Sequence, residues 1–147
     1  SSLQAAQISV IRFSQQLSVT LLANARINGE VAGSPVIGSD NTLYAATLSG
    51  WVYAFDSDLN VLWRRQPVPG GPEFEGSPTV DCAARLADGG VSPAPGTLYL
   101  VGRNDGSVYS IITDSRGLDP LAPWPKYQHD TGNTGLDGTL LRTGNCQ

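Results

Sequence analysis

The chain has 147 residues, of which 40% are apolar and only 15% charged, with 17 Gly, 10 Pro and a net charge of -4. The length is that of one domain, and the profile suits a turn-rich β protein better than a helical bundle or a disordered segment. No Lys/Arg cluster supplies the footprint of a phosphate-backbone binder, and no apolar run approaches the roughly 20 residues needed to cross a bilayer.

Residues 1–24 admit two readings. Residues 10–19 (VIRFSQQLSV) align without a gap on residues 52–61 (VYAFDSDLNV), and Leu3-Gln4-Ala5-Ala6 resembles Leu43-Tyr44-Ala45-Ala46. On that reading, residues 1–24 are strands two to four of a repeat unit whose first strand is absent. Alternatively, Leu3, Ala6, Val10, Phe13 and Leu17 share one helical face, with no Gly or Pro before Gly29. The ungapped match and the β-branched and aromatic run Ile8, Val10, Ile11, Phe13 favour strands.

Residues 33–65 define the unit. Ser34-Pro35-Val36-Ile37, Leu43-Tyr44-Ala45-Ala46, Trp51-Val52-Tyr53-Ala54-Phe55 and Leu59 to Trp63 read as four short strands. The turns between them are carried by Ser39-Asp40-Asn41, Leu48-Ser49-Gly50 and Asp56-Ser57-Asp58. Residues 76–135 repeat the unit. Gly76-Ser77-Pro78-Thr79-Val80 matches Gly33-Ser34-Pro35-Val36-Ile37, Gly96-Thr97-Leu98-Tyr99 matches Asn41-Thr42-Leu43-Tyr44, and Asp105-Gly106-Ser107-Val108-Tyr109 matches Ser49-Gly50-Trp51-Val52-Tyr53. An insertion at 81–95 separates the first two of these stretches. A strand-rich unit of roughly forty-odd residues that recurs predicts an all-β fold of β-propeller blades, each a four-stranded antiparallel sheet.

Residues 136–147 form a polar, Gly-rich tail. The two cysteines, Cys82 at the start of the insertion and Cys146 in the tail, lack the spacing of a zinc or thioredoxin site. They suit one structural disulfide in an oxidising compartment, pinning the tail to the insertion, or else two unpaired thiols. The lack of any Met, including at position 1, suggests a mature or excised segment.

The units resemble the pyrroloquinoline-quinone-like (PQQ-like) propeller repeat. The resemblance rests on Ser34-Pro35-Val36, Leu43-Tyr44-Ala45, Gly50-Trp51-Val52-Tyr53-Ala54-Phe55-Asp56 and Trp63. The next unit keeps Ser77-Pro78-Thr79, Leu98-Tyr99-Leu100 and Gly106-Ser107-Val108-Tyr109. The stretch Trp124-Pro125-Lys126-Tyr127-Gln128-His129-Asp130 looks like a segment flanking such repeats in secreted bacterial proteins. That family includes enzymes using pyrroloquinoline quinone (PQQ) and calcium, and a non-enzymatic outer-membrane-assembly scaffold. The enzymes' adjacent Cys-Cys pair is missing here, and their tryptophan-docking pattern is degenerate: Leu59-Asn60 stand where Thr-Gly belongs, and Trp63 comes one residue early. No catalytic or cofactor-binding residue is therefore carried over.

Asp56, Asp58 and Asn60 begin like a calcium loop, but an EF-hand needs Gly at its sixth position and Glu at its twelfth, where this chain has Val61 and Pro67. A self-capped turn explains them better. His129-Asp130 lacks a nucleophile motif or a second His, and reads as a loop-ordering pair. Trp63 and Trp124 are expected to pack between units. Trp51 replaces a small residue, Ser107 in the next unit, and is the candidate for ligand or partner contact. Arg64-Arg65 is a lone basic pair on an outer strand, expected to be solvated.

About two and a half blades fall short of the 4–8 of closed propellers. The remaining blades are expected from the same precursor, another chain or copies of this one. The sequence thus predicts a non-catalytic scaffold or adhesion surface in an extracytoplasmic location. A fragment of a PQQ- and calcium-dependent oxidoreductase and a carbohydrate-binding propeller are the alternatives.

Overall fold

In the computed structural model the described residues are 5–13, 19–81, 94–118, 126–128 and 135. They contain nine strands: β1 (Ala5–Phe13), β2 (Val19–Asn28), β3 (Val36–Ile37), β4 (Leu43–Ala46), β5 (Val52–Phe55), β6 (Val61–Arg65), β7 (Thr79–Val80), β8 (Thr97–Val101) and β9 (Val108–Ile112). These pair antiparallel into three sheets, β1-β2, β3-β4-β5-β6 and β7-β8-β9. The fold is all-β; among the described residues no helix is long and apolar enough to cross a membrane.

The middle sheet is the meander that its turn residues dictate. Between β3 and β4, Asn41 takes a positive φ of 62° and donates its N–H to Gly38 O at 2.9 Å. Asp40 Oδ1 accepts the Thr42 N–H at 3.1 Å. Asn tolerates this left-handed conformation because its short polar side chain makes it less costly than for a branched residue. Gly50, at φ 79°, turns the chain between β4 and β5.

Strand alternation sends neighbouring side chains to opposite faces, and in the middle sheet both faces are covered. Tyr44, Ala46, Val52 and Ala54 join Phe74, Val80, Leu98, Leu100 and Leu118 in one buried cluster against the third sheet. Ala45, Tyr53, Phe55 and Leu59 join Ala25 and Ile27 in a second, against the β1-β2 hairpin. Trp63 packs on the first cluster, its ring centroid 5.9 Å from that of Tyr44. The core is therefore two layers between three stacked sheets.

The N-terminal region differs from the three strands expected over residues 1–24. Ala5–Phe13 is one continuous strand that absorbs Ala5-Ala6, and it pairs along its length with β2, which runs on to Asn28. The helical alternative fails over the described part. The reason is tertiary: alternate residues Ala6, Ile8, Val10, Ala23, Ala25 and Ile27 line the apolar face of the middle sheet, and a period of two fills that face where a helical stripe would not. The hairpin closes with Phe13 opposite Val19, as β5 and β6 close with Phe55 opposite Val61. The ungapped match of residues 10–19 to 52–61 is thus a match of strand pairs, and the hairpin corresponds to β5-β6.

The contacts between successive sheets repeat as well. Leu48 donates its N–H to Glu30 O at 2.8 Å, and Arg103 donates to Glu73 O at 2.8 Å. Val31 packs in the layer between hairpin and middle sheet. Phe74, its positional equivalent, is buried in the next layer, edge-on to Tyr109 at 5.6 Å between centroids. The middle and third sheets are thus each held by the segment that leads into them.

Candidate interaction surfaces

Among the described residues, four surfaces or turns hold candidate functional residues. The first is the Asp56 turn between β5 and β6. Asp56 Oδ1 accepts N–H groups from Asp58 (2.9 Å) and Asn60 (2.8 Å), and Oδ2 accepts Asn60 Nδ2 at 2.9 Å. These bonds, the Asn60 side-chain amide foremost, hold the Asp56 carboxyl below the usual carboxylate range. Leu59 sits at φ 61° with its side chain buried in the core. The Asp-x-Asp-x-Asn pattern here builds a turn that drives Leu59 inward, and the Asp56 and Asn60 side chains are spent on one another. Among the described residues no three His, Cys, Asp or Glu side chains cluster as a metal site.

The second is Trp51, half-buried at the start of β5. Its ring tilts against Tyr53 at 6.4 Å between centroids, and the Arg64 guanidinium carbon lies 5.4 Å from the ring centre. Arg64 reaches it because Tyr53 and Arg64 are cross-strand partners. The aromatic face proposed for a ligand is thus shared with a cation, a contact of about 0.5–1 kcal/mol at an exposed site.

The third is a cleft of about 540 Å³ where the two Gly-Ser-Pro stretches meet. Ser34 donates its N–H to Ser77 Oγ at 2.9 Å. A side chain at Gly33 would place its first carbon 2.6 Å from Gly76 C and O and 2.7 Å from Ser77 N, so glycine is what lets the two backbones touch. Glu75, Lys126 and Tyr127 complete the rim.

The fourth was not read from the sequence. The outer face of the third sheet carries Tyr99, Val101, Val108 and Ile112, all exposed, Val108 at 70% and Ile112 at 75%. Val101 and Val108 are directly paired across the ladder with Tyr99 beside them, and Ile112 lies opposite Thr97, so the four apolar groups share one face of two paired strands. The strand alternation of residues 97–101 and 108–112 is the signal that could have found it. The outward positions carry Tyr99, Val101, Val108 and Ile112 beside Thr97 and Ser110, more apolar side chains than a strand solvated on one side needs.

The units are also locked together by a partly buried network that sequence reasoning missed. Tyr44 Oη lies 2.6 Å from Ser115 Oγ, which donates to Asp40 Oδ1 at 2.5 Å. Partial burial pushes the Asp40 carboxyl up, but hydrogen bonds from Ser115 and Thr42 outweigh this and leave it lowered. Gly38 and Leu118 bridge beside it. Cys82, Trp124, His129, Asp130 and Cys146 lie outside the described residues.

No family model matches the chain. No curated protein matches it either. Its functional reading therefore rests on the geometry of these surfaces.

Proposed function

We propose that the chain is a segment of a β-propeller of the PQQ-like repeat type, acting outside the cytoplasm as a non-catalytic scaffold or protein-interaction surface. The observation that carries this reading is the apolar strip of Tyr99, Val101, Val108 and Ile112 on the third sheet. Exposed contiguous apolar surface marks association sites in folded proteins. Three features support blades as the architecture. The four strands β3 to β6 form an antiparallel meander. The sheets stack face to face in one sense, with equivalent residues pointing the same way. The innermost Gly-Ser-Pro stretches of successive units touch at the Gly33–Gly76 cleft, as first strands converging on a propeller axis would.

The scaffold reading also fits how the candidate chemical groups are spent. Asp56 and Asn60 bind each other, and Arg64 lies over Trp51. The experiment is direct. The purified chain is given pyrroloquinoline quinone, calcium, a primary alcohol and an electron-accepting dye. The expected result is no dye reduction above a protein-free control. Alcohol-dependent reduction would overturn the reading in favour of an oxidoreductase fragment.

A further inference from the structure

The middle and third sheets are equivalent residue by residue, and the middle sheet shows what lies against the face that the third leaves open. Tyr44, Ala46, Val52 and Ala54 correspond to Tyr99, Val101, Val108 and Ser110. The first set is buried beneath Leu98, Leu100, Tyr109 and Ile111 of the third sheet. We propose that the outer face of the third sheet receives one further antiparallel sheet of this chain's own repeat type, presenting the Leu-x-Leu and Tyr-x-Ile pattern of β8 and β9. This rests on reading the chain as stacked repeat units.

Two pairs of glycines mark the same opening independently of the apolar strip. A carbon added at Gly33 would collide with Gly76 and Ser77 of the following unit, and one added at Gly50 would lie 2.5 Å from Gly71 Cα in the connection to that unit. Their equivalents in the third unit, Gly76 and Gly106, have nothing within 4 Å on that side. Gly50 and Gly106 share a left-handed φ of 79° and 67° that by itself favours glycine, so the Gly33–Gly76 pair carries the point: glycine stands where a following backbone would pass, and at Gly76 that space is open. The occupant is thus a sheet arriving with its own glycine-led first strand and connecting segment.

The chain's own opposite end does not supply that sheet. The outward face of the N-terminal hairpin carries Gln7, Ser9, Asn24 and Arg26 beside the apolar pair Ile11 and Leu21, all exposed. A head-to-tail ring of copies would bury Arg26 with Gln7, Ser9 and Asn24 against Val101, Val108 and Ile112, at the desolvation cost of unpaired polar and charged groups, and Ile11 and Leu21 would offset only part of it. A pairing of two third sheets through the same face would cover the strip but would bring no β8-β9 pattern and no connecting backbone to Gly106.

The test is the full chain extended at its C-terminus by a second copy of residues 66–147, compared with the unextended chain. Extension is expected to slow hydrogen exchange of the first copy's β8 and β9 amides at least tenfold, and Val108→Asp in that copy abolishes the slowing. Gly76→Ala is expected to be silent in the unextended chain and to lower the urea midpoint of the extended one. Unchanged exchange together with a silent Gly76→Ala in the extended chain overturns the proposal. So does an unextended chain that sediments as a dimer and becomes monomeric with Val108→Asp, since the occupant is then a second copy. Protection of β8 and β9 already present in the monomeric unextended chain also overturns it, because the face is then covered from within. A second measurement needs no extension: an apolar fluorescent dye is expected to bind the unextended chain and to be released by Val108→Asp at an unchanged urea midpoint; no binding overturns the proposal. Dye-linked alcohol oxidation bears on the scaffold reading alone, so the two can fail separately.

Discussion

The middle and third sheets are built from one pattern and differ in what covers a single face. Tyr44 and Val52 are fully buried, whereas their counterparts Tyr99 and Val108 are exposed. The same alternation of apolar residues that produces a two-sided core in one unit produces a core and an open surface in the other. Burial here is a property of neighbours, which the pattern within a unit anticipates but does not supply.

The largest predicted contrast breaks the comparison at its centre. Tyr44→Ala should cost about 3–5 kcal/mol in urea unfolding, in the range of large aromatic truncations in a core. Tyr99→Ala should fall within about 0.5 kcal/mol, as for an exposed site. Equal losses would show that the open face is covered in solution. Next comes the glycine pair: Gly33→Ala forces a contact with backbone that cannot swing aside and should cost about 1–3 kcal/mol, whereas Gly76→Ala in the same chain should be neutral.

Ser115→Ala tests the network that ties the middle unit to the third. It leaves the buried Tyr44 hydroxyl without its 2.6 Å partner and should cost about 1–3 kcal/mol. Adding Tyr44→Phe should recover part of that loss. Asp40 gives the same network a pH signature. Its folded carboxyl is lowered, so the folded chain binds that proton less tightly than the unfolded chain. The stabilisation is fully present above the unfolded value of about 3.9 and is lost as pH falls through the lower folded value. Asp40→Asn should flatten this acid limb of a stability-against-pH curve, and an unchanged limb would remove Asp40 from the account. The smallest effect is Arg64→Ala, about 0.5–1 kcal/mol from the contact with Trp51, read by Trp fluorescence during unfolding.

The repeat made much of the fold legible. The four strands of residues 33–65 lie within a residue or two of their expected positions because Asp40-Asn41, Ser49-Gly50 and Asp56-Ser57 are turn chemistry, and turns fix where short strands begin. The N-terminal hairpin was half legible. The pairing of Phe13 with Val19 was implicit in the match to Phe55 and Val61, but the length of β1 was not, because it is set by the apolar face of Tyr53 and Phe55 that it covers. The Tyr44–Ser115–Asp40 network was not legible at all. Its members are joined only by folding, across separations of 71 and 75 residues, and Ser115 carries no local mark of its role. The Asp56 turn was legible as chemistry, since the spacing that suggests calcium is also that of a self-bonded turn.

Strand β6 is the last in its sheet and therefore an edge. Its outermost residues Arg64 and Arg65 are exposed. An edge strand offers unpaired backbone groups to any other strand, and charged side chains are a common guard against that pairing. The basic pair is thus placed to hinder widening of the middle sheet strand by strand into an aggregate, and it leaves the faces, where shape and apolar pattern select a neighbour, as the route by which the proposed further sheet would join.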